Sequence, residues 1–489
     1  MKVPSQMFIG GRWVDSEDAA TLDVVNPANQ EVLARIPKAS REDARKAIDA
    51  ASEAARVAAK LPAHERSRIL LKVASMLEQN SQEMVETIAK NVGKPVADAA
   101  VETARAVLVL TFAAEEAKRI TGQTIPLDSQ PFPPGNQNRL AFTIREPVGV
   151  VGAISPFNFP LNLLMHKVAP AIAAGNSVVA KPPSEGPLPA LMIAKLFEQA
   201  GLPDGVLNIV VGPGETVGDE IVISEKVNAI SFTGGSETGK EISQKAARTN
   251  KKVILELGGH NPMIVLDDAN LEAAVSSAVS STFTFSGQVC TATRRIILSE
   301  KLRSKFMASF DQAVAGLKVG NPLEQTTNVG PVISRKSLDK IEGLVEDAKS
   351  KGAVARKGGN RLVSEEYSRG NYFAPTVLDE VEGDMKIANS EVFGPVAAVM
   401  KASKEEEFVD AANSTTYGLQ ASIYTSDLAK GIKLAKEIKA GAVLINDRTT
   451  LRWDNAPFGG VKMSGMGREG VSYAIAELTD LKFIVVNLG

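Results

Sequence analysis

The chain of 489 residues contains one cysteine, Cys290. A lone thiol excludes an internal disulfide, a thiol-based metal site and a CxxC redox pair. Histidine is nearly as scarce. His64, His166 and His260 are the only three, far apart and without metal-ligand spacing, so no metal centre is expected. No GxSxG elbow is present to support a Ser-His-Asp hydrolase. Charge of one sign is lacking too: a net charge of −2 gives no electrostatic basis for binding nucleic acid or a membrane surface. No apolar run reaches membrane-spanning length. The start, Met1-Lys2-Val3-Pro4-Ser5-Gln6, has no apolar signal-peptide core. The expectation is a cytoplasmic protein with a reduced thiol. Its 44% apolar and 23% charged residues are ordinary for a soluble globular chain. The length predicts roughly two or three domains.

By residue type alone, a free cysteine is more often a small buried hydrophobe than a nucleophile. The neighbours of Cys290 favour the second role. In Phe285-Ser286-Gly287-Gln288-Val289-Cys290-Thr291-Ala292, Gly287 and the small polar Ser286 and Thr291 leave room for another molecule to approach. Gln288 is an odd companion for a purely packed thiol.

The N-terminal part opens with a hairpin signal, Phe8-Ile9-Gly10-Gly11-Arg12-Trp13. Amphipathic patterning predicts helices over 40–61, 63–91 and 98–121. The proline-punctuated run 126–136 and the strand-like 139–145 read as an excursion from the first domain. From Val148 the pattern becomes regular. Apolar strands are predicted at 148–154, 177–180, 207–211, 229–232 and 253–257, with helices at 161–174, 189–200, 217–224 and 238–248. This alternation implies βαβ units and a parallel sheet covered on both faces. Ligands of such sheets bind outside the carboxyl ends of the strands.

The residues at those ends are informative. Ser155-Pro156-Phe157-Asn158-Phe159-Pro160 stiffens the first turn with two prolines and holds Asn158 on a corner. The Asn158 amide suits either a helix cap or a donor to a developing oxyanion. Lys181 closes the second strand, as a solvated charge or as a ligand for a cofactor hydroxyl or phosphate. Thr233-Gly234-Gly235-Ser236-Glu237-Thr238-Gly239-Lys240-Glu241 nearly matches a P-loop, but Glu241 stands where a magnesium-binding hydroxyl belongs. A nucleotide triphosphatase is therefore rejected, while a glycine-rich turn before a helix still suits a dinucleotide pyrophosphate. Glu256, inside an apolar strand end, is either a structural carboxylate or a base with a raised pKa.

Taken in order, these segments are followed by Glu391-Val392-Phe393-Gly394-Pro395, Pro457-Phe458-Gly459-Gly460 and Ser464-Gly465-Met466-Gly467-Arg468-Glu469. The series closely resembles the aldehyde dehydrogenase superfamily over nearly the whole chain. The resemblance implies an α/β fold with two Rossmann-like parallel-sheet domains and a β-strand oligomerisation element. It implies a cofactor-binding domain at 1–124 and 147–257 and a catalytic domain at 258–454. The oligomerisation element would be 125–146 with 470–489, and 455–469 a connecting segment. The implied activity is oxidation of an aldehyde to a carboxylic acid with NAD or NADP. By position, Cys290 resembles the nucleophile, Asn158 the oxyanion-hole side chain and Glu256 the general base. Lys181 matches a cofactor ribose ligand and Glu391 the nicotinamide-ribose ligand, with Phe393 beside the nicotinamide. Ser155, Phe157, Gly214, Phe232, Gly234, Gly235 and Leu257 match cofactor-lining positions. Gly235 departs from the serine of many relatives, and His260 from a common lysine; His260 is given no role.

The implied chemistry is attack by Cys290, hydride transfer to the cofactor, and hydrolysis of the thioester by water that Glu256 activates. Transfer of the acyl group to coenzyme A is one alternative, disfavoured because relatives of that type usually lack the glutamate. A non-catalytic binding protein on the same fold is another. The apolar tail 481–486 is a strand in need of a partner, which points to a homo-oligomer, dimer or tetramer.

Cofactor choice follows from spacing. Many NAD-using relatives have glutamate three residues after the lysine; here Ser184 occupies that position and Glu185 the next. Glutamate at that position would repel a 2′-phosphate, whereas serine could donate a hydrogen bond to it and Lys181 adds positive charge nearby, so NADP is expected to be preferred and NAD accepted. Arg448 and Arg452, in the loop Asn446–Asn455, suit a small hydroxylated or anionic aldehyde. The alternative is that they pair with Asp447 and Asp454 and only brace the loop.

Overall fold

The computed structural model describes residues 3–489; Met1 and Lys2, part of the start read above for a signal peptide, lie outside them. The apolar runs after Val148 form five parallel strands, Val150–Ile154, Ser177–Lys181, Leu207–Ile209, Ala229–Thr233 and Lys252–Glu256. Their residues are buried almost throughout, as expected where helices cover both faces of a sheet. In space the first strand lies between the second and the fourth. The order therefore reverses between Val150–Ile154 and Ala229–Thr233, and the crevice beyond their carboxyl ends is the natural ligand site. Antiparallel strands finish both edges. The hairpin Met7–Ile9/Arg12–Val14 adds to Leu207–Ile209, and Gly465–Met466 adds to Lys252–Glu256.

A second sheet has six parallel strands in the spatial order Thr376–Asp379, Val396–Ala402, Thr293–Ser299, Asn261–Val265, Gln420–Tyr424 and Ala442–Ile445. Antiparallel Val354–Lys357 covers one edge. Helices Leu271–Phe283 and Glu300–Ala315 pack on it around Phe283, Phe306 and Phe310. The α/β architecture with two such sheets is the expected one. The segments entering Thr293–Ser299 and Val396–Ala402 carry Cys290 and Glu391, so the amino ends of this sheet face the crevice of the first.

Strands Arg139–Pro147 and Thr479–Asn487 pair antiparallel along their full lengths. The pair leaves Leu140, Leu481, Phe483, Val485 and Val486 exposed. Among the described residues, no helix is long and apolar enough to cross a membrane.

Several local expectations differ. The helix read over 63–91 is two helices, Ala63–Gln79 and Ser81–Val92, broken at Asn80, whose side-chain amide donates to the Met76 carbonyl at 2.7 Å. The helix read over 217–224 begins as a wider turn at Gly214–Gly218. Asn261–Val265 is a central strand that the sequence reading did not name, and it contains Pro262, a residue disfavoured in that place. The sheet accommodates it with a register shift between Asn261 and Pro262.

Candidate active site

Two adjoining cavities occupy the crevice. The larger, about 750 Å³, runs along Ser155, Lys181, Ser184, Gly214 and Phe232. The smaller, about 320 Å³, is lined by Asn158, Gly235, Leu257, Cys290, Glu391 and Phe393. Pro156, Phe157, Thr233 and Gly234 line both. The structure thus gathers all eleven cofactor candidates, with Cys290 and Asn158, around one continuous space. Glu256 lies buried behind the wall.

The loop bearing the thiol is held in an unusual shape. Phe285, Ser286 and Gly287 have consecutive positive φ angles of 43°, 55° and 68°. For the two that are not glycine, such backbone costs about 1–3 kcal/mol each, so the surroundings must impose it. They do. The Phe285 N–H donates to Asp98 at 3.0 Å, and Ser286 Oγ to the Gly330 carbonyl at 2.7 Å. Gln288 Oε1 accepts from the Ile333 N–H at 2.8 Å. A Cβ on Gly287 would strike the Gly394 carbonyl, so only glycine fits. Ser286 and Gln288 are therefore buried braces. The expectation that Ser286 leaves an approach to the thiol is corrected, and Gln288 is explained.

Cys290 itself is half-buried. Burial, reinforced by the charge of Glu391, pushes its thiol up to about 12. Its carbonyl accepts from Asn261 Nδ2 at 2.8 Å. Asn158 is buried, and its Nδ2 donates to the Gln288 carbonyl at 2.9 Å. That bond uses one amide hydrogen and leaves a second. Asn158 is no helix cap: Asn162–Ala174 begins beyond it, and the Leu161 and Asn162 N–H groups donate to Glu102 at 2.9 and 3.1 Å.

Glu256 is buried with both carboxylate oxygens unpartnered. Burial, and next the charge of Glu469, raise its pKa well above the ordinary range, against Arg452 and Lys167. Glu469 is also buried, but its carboxylate accepts from Lys167 at 2.6 Å and from Arg452 at 2.9 Å. Burial would raise its pKa; Lys167 and Arg452 outweigh that and hold it at about 2. Two neighbouring carboxyls with opposite shifts leave Glu256 the one suited to exchange a proton, with Glu469 held ionised.

Lys181 is buried, donates to the Pro182 carbonyl at 3.2 Å, and is lowered to about 8 by burial. Ser184 Oγ donates to the Gly212 carbonyl at 3.1 Å. Ser155 Oγ is buried and unpartnered. A Cβ on Gly234 would meet the Phe232 ring, whereas one on Gly214 or Gly235 would meet nothing within 4 Å. This cradle of open glycine backbone, a buried lysine and an unused hydroxyl fits a dinucleotide. Glu391 accepts from the Gly259 N–H at 3.0 Å. Phe393, at φ 48°, sets its ring edge-on to Phe157 with centroids 5.9 Å apart.

The two arginines behave differently from each other. Arg452 does not pair with Asp447 or Asp454; it is buried against Glu469, with its guanidinium 3.8 Å from the centre of the Phe458 ring. Asp454 is taken instead by Arg105 at 2.6 Å and His166 at 2.8 Å. The reading of Arg452 as a group free to meet the aldehyde is corrected, though its Nε has no partner among the described residues. Arg448 is exposed, and its side chain forms no ion pair among the described residues. His260 is a packing residue, with Nε2 3.0 Å from the Ile387 carbonyl and the ring near Tyr417.

Sequence reasoning missed Lys167, Glu469 and Arg294. The signal for Lys167 was present, since a lysine inside the apolar run Asn162–Ala174 requires a buried partner. Glu469 stood in a quoted segment without a role. Nothing in the pattern separates Arg294 from Arg295. Among the described residues, no group of three or more His, Cys, Asp or Glu could hold a metal.

Residues 13–484 match the model of the aldehyde dehydrogenase family. The chain is 44% identical over 485 residues to lactaldehyde dehydrogenase of Methanocaldococcus jannaschii, covering 98% of this chain and 100% of the relative. It is 39% identical to 3-sulfolactaldehyde dehydrogenase of Priestia aryabhattai over 482 residues, 99% and 98% of the two chains. It superposes on the crystal structure of glyceraldehyde-3-phosphate dehydrogenase GapN from Methanocaldococcus jannaschii, complexed with NADP. There the TM-score is 0.90 at 43% identity, covering 95% of this chain and 99% of that one. A dinucleotide-sized crevice ending at a lone thiol, matched over the full length by such relatives, leads to one assignment: this chain belongs to the aldehyde dehydrogenase family and is an NAD(P)-dependent oxidoreductase.

Proposed function

We propose that the protein oxidises a small hydroxylated or anionic aldehyde to its carboxylic acid by the hydrolytic route. The observation that carries this reading is the unpaired, buried carboxylate of Glu256 behind the cavity into which Cys290 opens. Cys290 gives its thiol proton to solvent and attacks the aldehyde carbon as the thiolate. The resulting oxyanion accepts from the free amide hydrogen of Asn158 and from the Cys290 backbone N–H. One such side-chain donor typically lowers the barrier by about 2.7–4 kcal/mol. When bound, NAD(P) accepts the hydride. Lys181 and Glu391 would hold its ribose hydroxyls, and Phe393 would lie beside its nicotinamide. Glu256 then takes a proton from water, which attacks the thioester and releases the acid and the Cys290 thiolate.

The substrate class rests on polarity. The relatives above are named for lactaldehyde, sulfolactaldehyde and glyceraldehyde 3-phosphate, all of them small and hydroxylated, two of them anionic. In this chain, Arg448 is an exposed cation on the loop before Phe458 that forms no ion pair among the described residues, although its charge reaches Asp98. A long apolar aldehyde would leave such groups unpaired and desolvated. The expected order of kcat/KM places lactaldehyde, glyceraldehyde and succinic semialdehyde above hexanal and benzaldehyde by about 10-fold or more. Arg448→Ala should narrow that gap for the anionic substrate, whereas Arg452→Ala should depress turnover generally. If the apolar aldehydes lead and neither substitution alters the order, the substrate class is wrong.

NADP is the preferred cofactor in this reading, with NAD accepted. Support comes from the absence of a carboxylate at Ser184, not from a bond by its hydroxyl, which already donates to Gly212. Ser184→Glu should move the ratio of NADP to NAD efficiency toward NAD by about 10-fold, since a carboxylate facing a phosphate repels it at close range. Equal or better efficiency with NAD in the unmodified enzyme would refute the preference. The exposed apolar residues on Thr479–Asn487 support a homo-oligomer, which light scattering would report as a mass of two or four chains.

A further inference from the structure

Arg294 is a fully buried side chain beside the nucleophile loop. Its guanidinium donates to the Gly394 carbonyl at 3.0 Å, to the Val289 carbonyl at 3.1 Å and to the Gly287 carbonyl. Three acceptors on two segments make it a clamp: one segment leads into Cys290, and the other follows Glu391 and Phe393. No acceptor is a carboxylate, so its charge is uncompensated by contact. Burying an unpaired cation is costly, and an apolar or amide side chain would avoid that cost. The expense calls for a use.

The groups around Cys290 show what is needed. Glu391, Glu256 and Glu469 all disfavour its ionisation, and Arg452 favours it. Arg452, however, is tied to Glu469 at 2.9 Å, so the pair presents little net charge. The charge of Arg294 reaches Cys290, Glu391 and the buried ring of His260. Arg294 is thus the guanidinium near the thiol without a carboxylate in contact.

We propose that Arg294 is a positioning residue that fixes the nucleophile loop and supplies the standing positive potential under which the Cys290 thiol ionises. It touches neither substrate nor cofactor. The inference rests on Cys290 as the nucleophile, but its test does not depend on turnover.

Cys290 is the only cysteine in the chain, so alkylation of the whole enzyme by iodoacetamide reports one thiol. The rate is followed against pH for the wild type, Arg294→Gln and Arg294→Lys. In Arg294→Gln the inflection should rise by about one unit, which is about a 10-fold slower reaction below the inflection. Arg294→Lys keeps the charge while losing part of the clamp, and its inflection should stay within about half a unit of the wild type. Unchanged inflections in both variants would overturn the proposal, and so would equal shifts in both. If Arg294→Gln does not fold, Arg294→Lys still decides: a shift of a full unit there counts against charge as the agent. Loss of Cys290 as nucleophile would show separately, as turnover surviving its replacement.

Discussion

Replacing Cys290 by serine should reduce aldehyde oxidation by at least about 1,000-fold, the order seen when an enzyme loses its nucleophile. The chain offers no second thiol, and a serine hydroxyl ionises far less readily in the same site. The cavities are otherwise untouched, because the loop is held by Phe285, Ser286, Gly287 and Gln288 and not by the sulfur. Cofactor affinity, measured by fluorescence quenching, should therefore stay within about three-fold of the wild type. Activity above a few per cent in Cys290→Ser would remove the nucleophile from this account.

The second large effect concerns Glu256. Glu256→Gln should lower steady-state turnover by about 100-fold or more, the usual size of a general-base contribution. Formation of reduced cofactor precedes the step that Glu256 assists. A burst of one equivalent per active site should therefore survive while turnover falls. The base acts only when ionised, and burial with the Glu469 charge raises its pKa. Wild-type kcat should thus climb with rising pH through that raised value and level off above it. The climb should vanish in Glu256→Gln. An unaltered steady-state rate, or an unaltered pH limb, would contradict the assignment.

Much of this was legible in the sequence, for identifiable reasons. Strands buried on both faces read as short apolar runs, so Val150–Ile154 and Ala229–Thr233 could be located to within a residue or two. The chemistry stood just beyond their ends, where prolines and glycines interrupt the pattern. Other elements were hidden by local chemistry. The strand Asn261–Val265, with Pro262 in it, went unnamed, and Asn80 broke a helix whose apolar spacing continued across it. Pairings between distant segments have no local signal at all. Arg452 was expected to meet the substrate, with Asp447 and Asp454 as the alternative partners because they are near in sequence, whereas Glu469 is near in space. The hydroxyl of Ser184 was credited with a donor role that Gly212 already occupies. At Gly235, where many relatives have serine, the Cβ position faces open space.

The thioester on Cys290 is the central claim, and mass spectrometry of Glu256→Gln tests it most directly. The variant is mixed with lactaldehyde and NADP, quenched in acid within one turnover, and digested. The account predicts that the peptide carrying Cys290 gains the mass of the acyl group, in step with the burst of reduced cofactor. It also predicts that the adduct disappears on treatment with hydroxylamine. Reduced cofactor formed in stoichiometric amount with no adduct on Cys290 would contradict it.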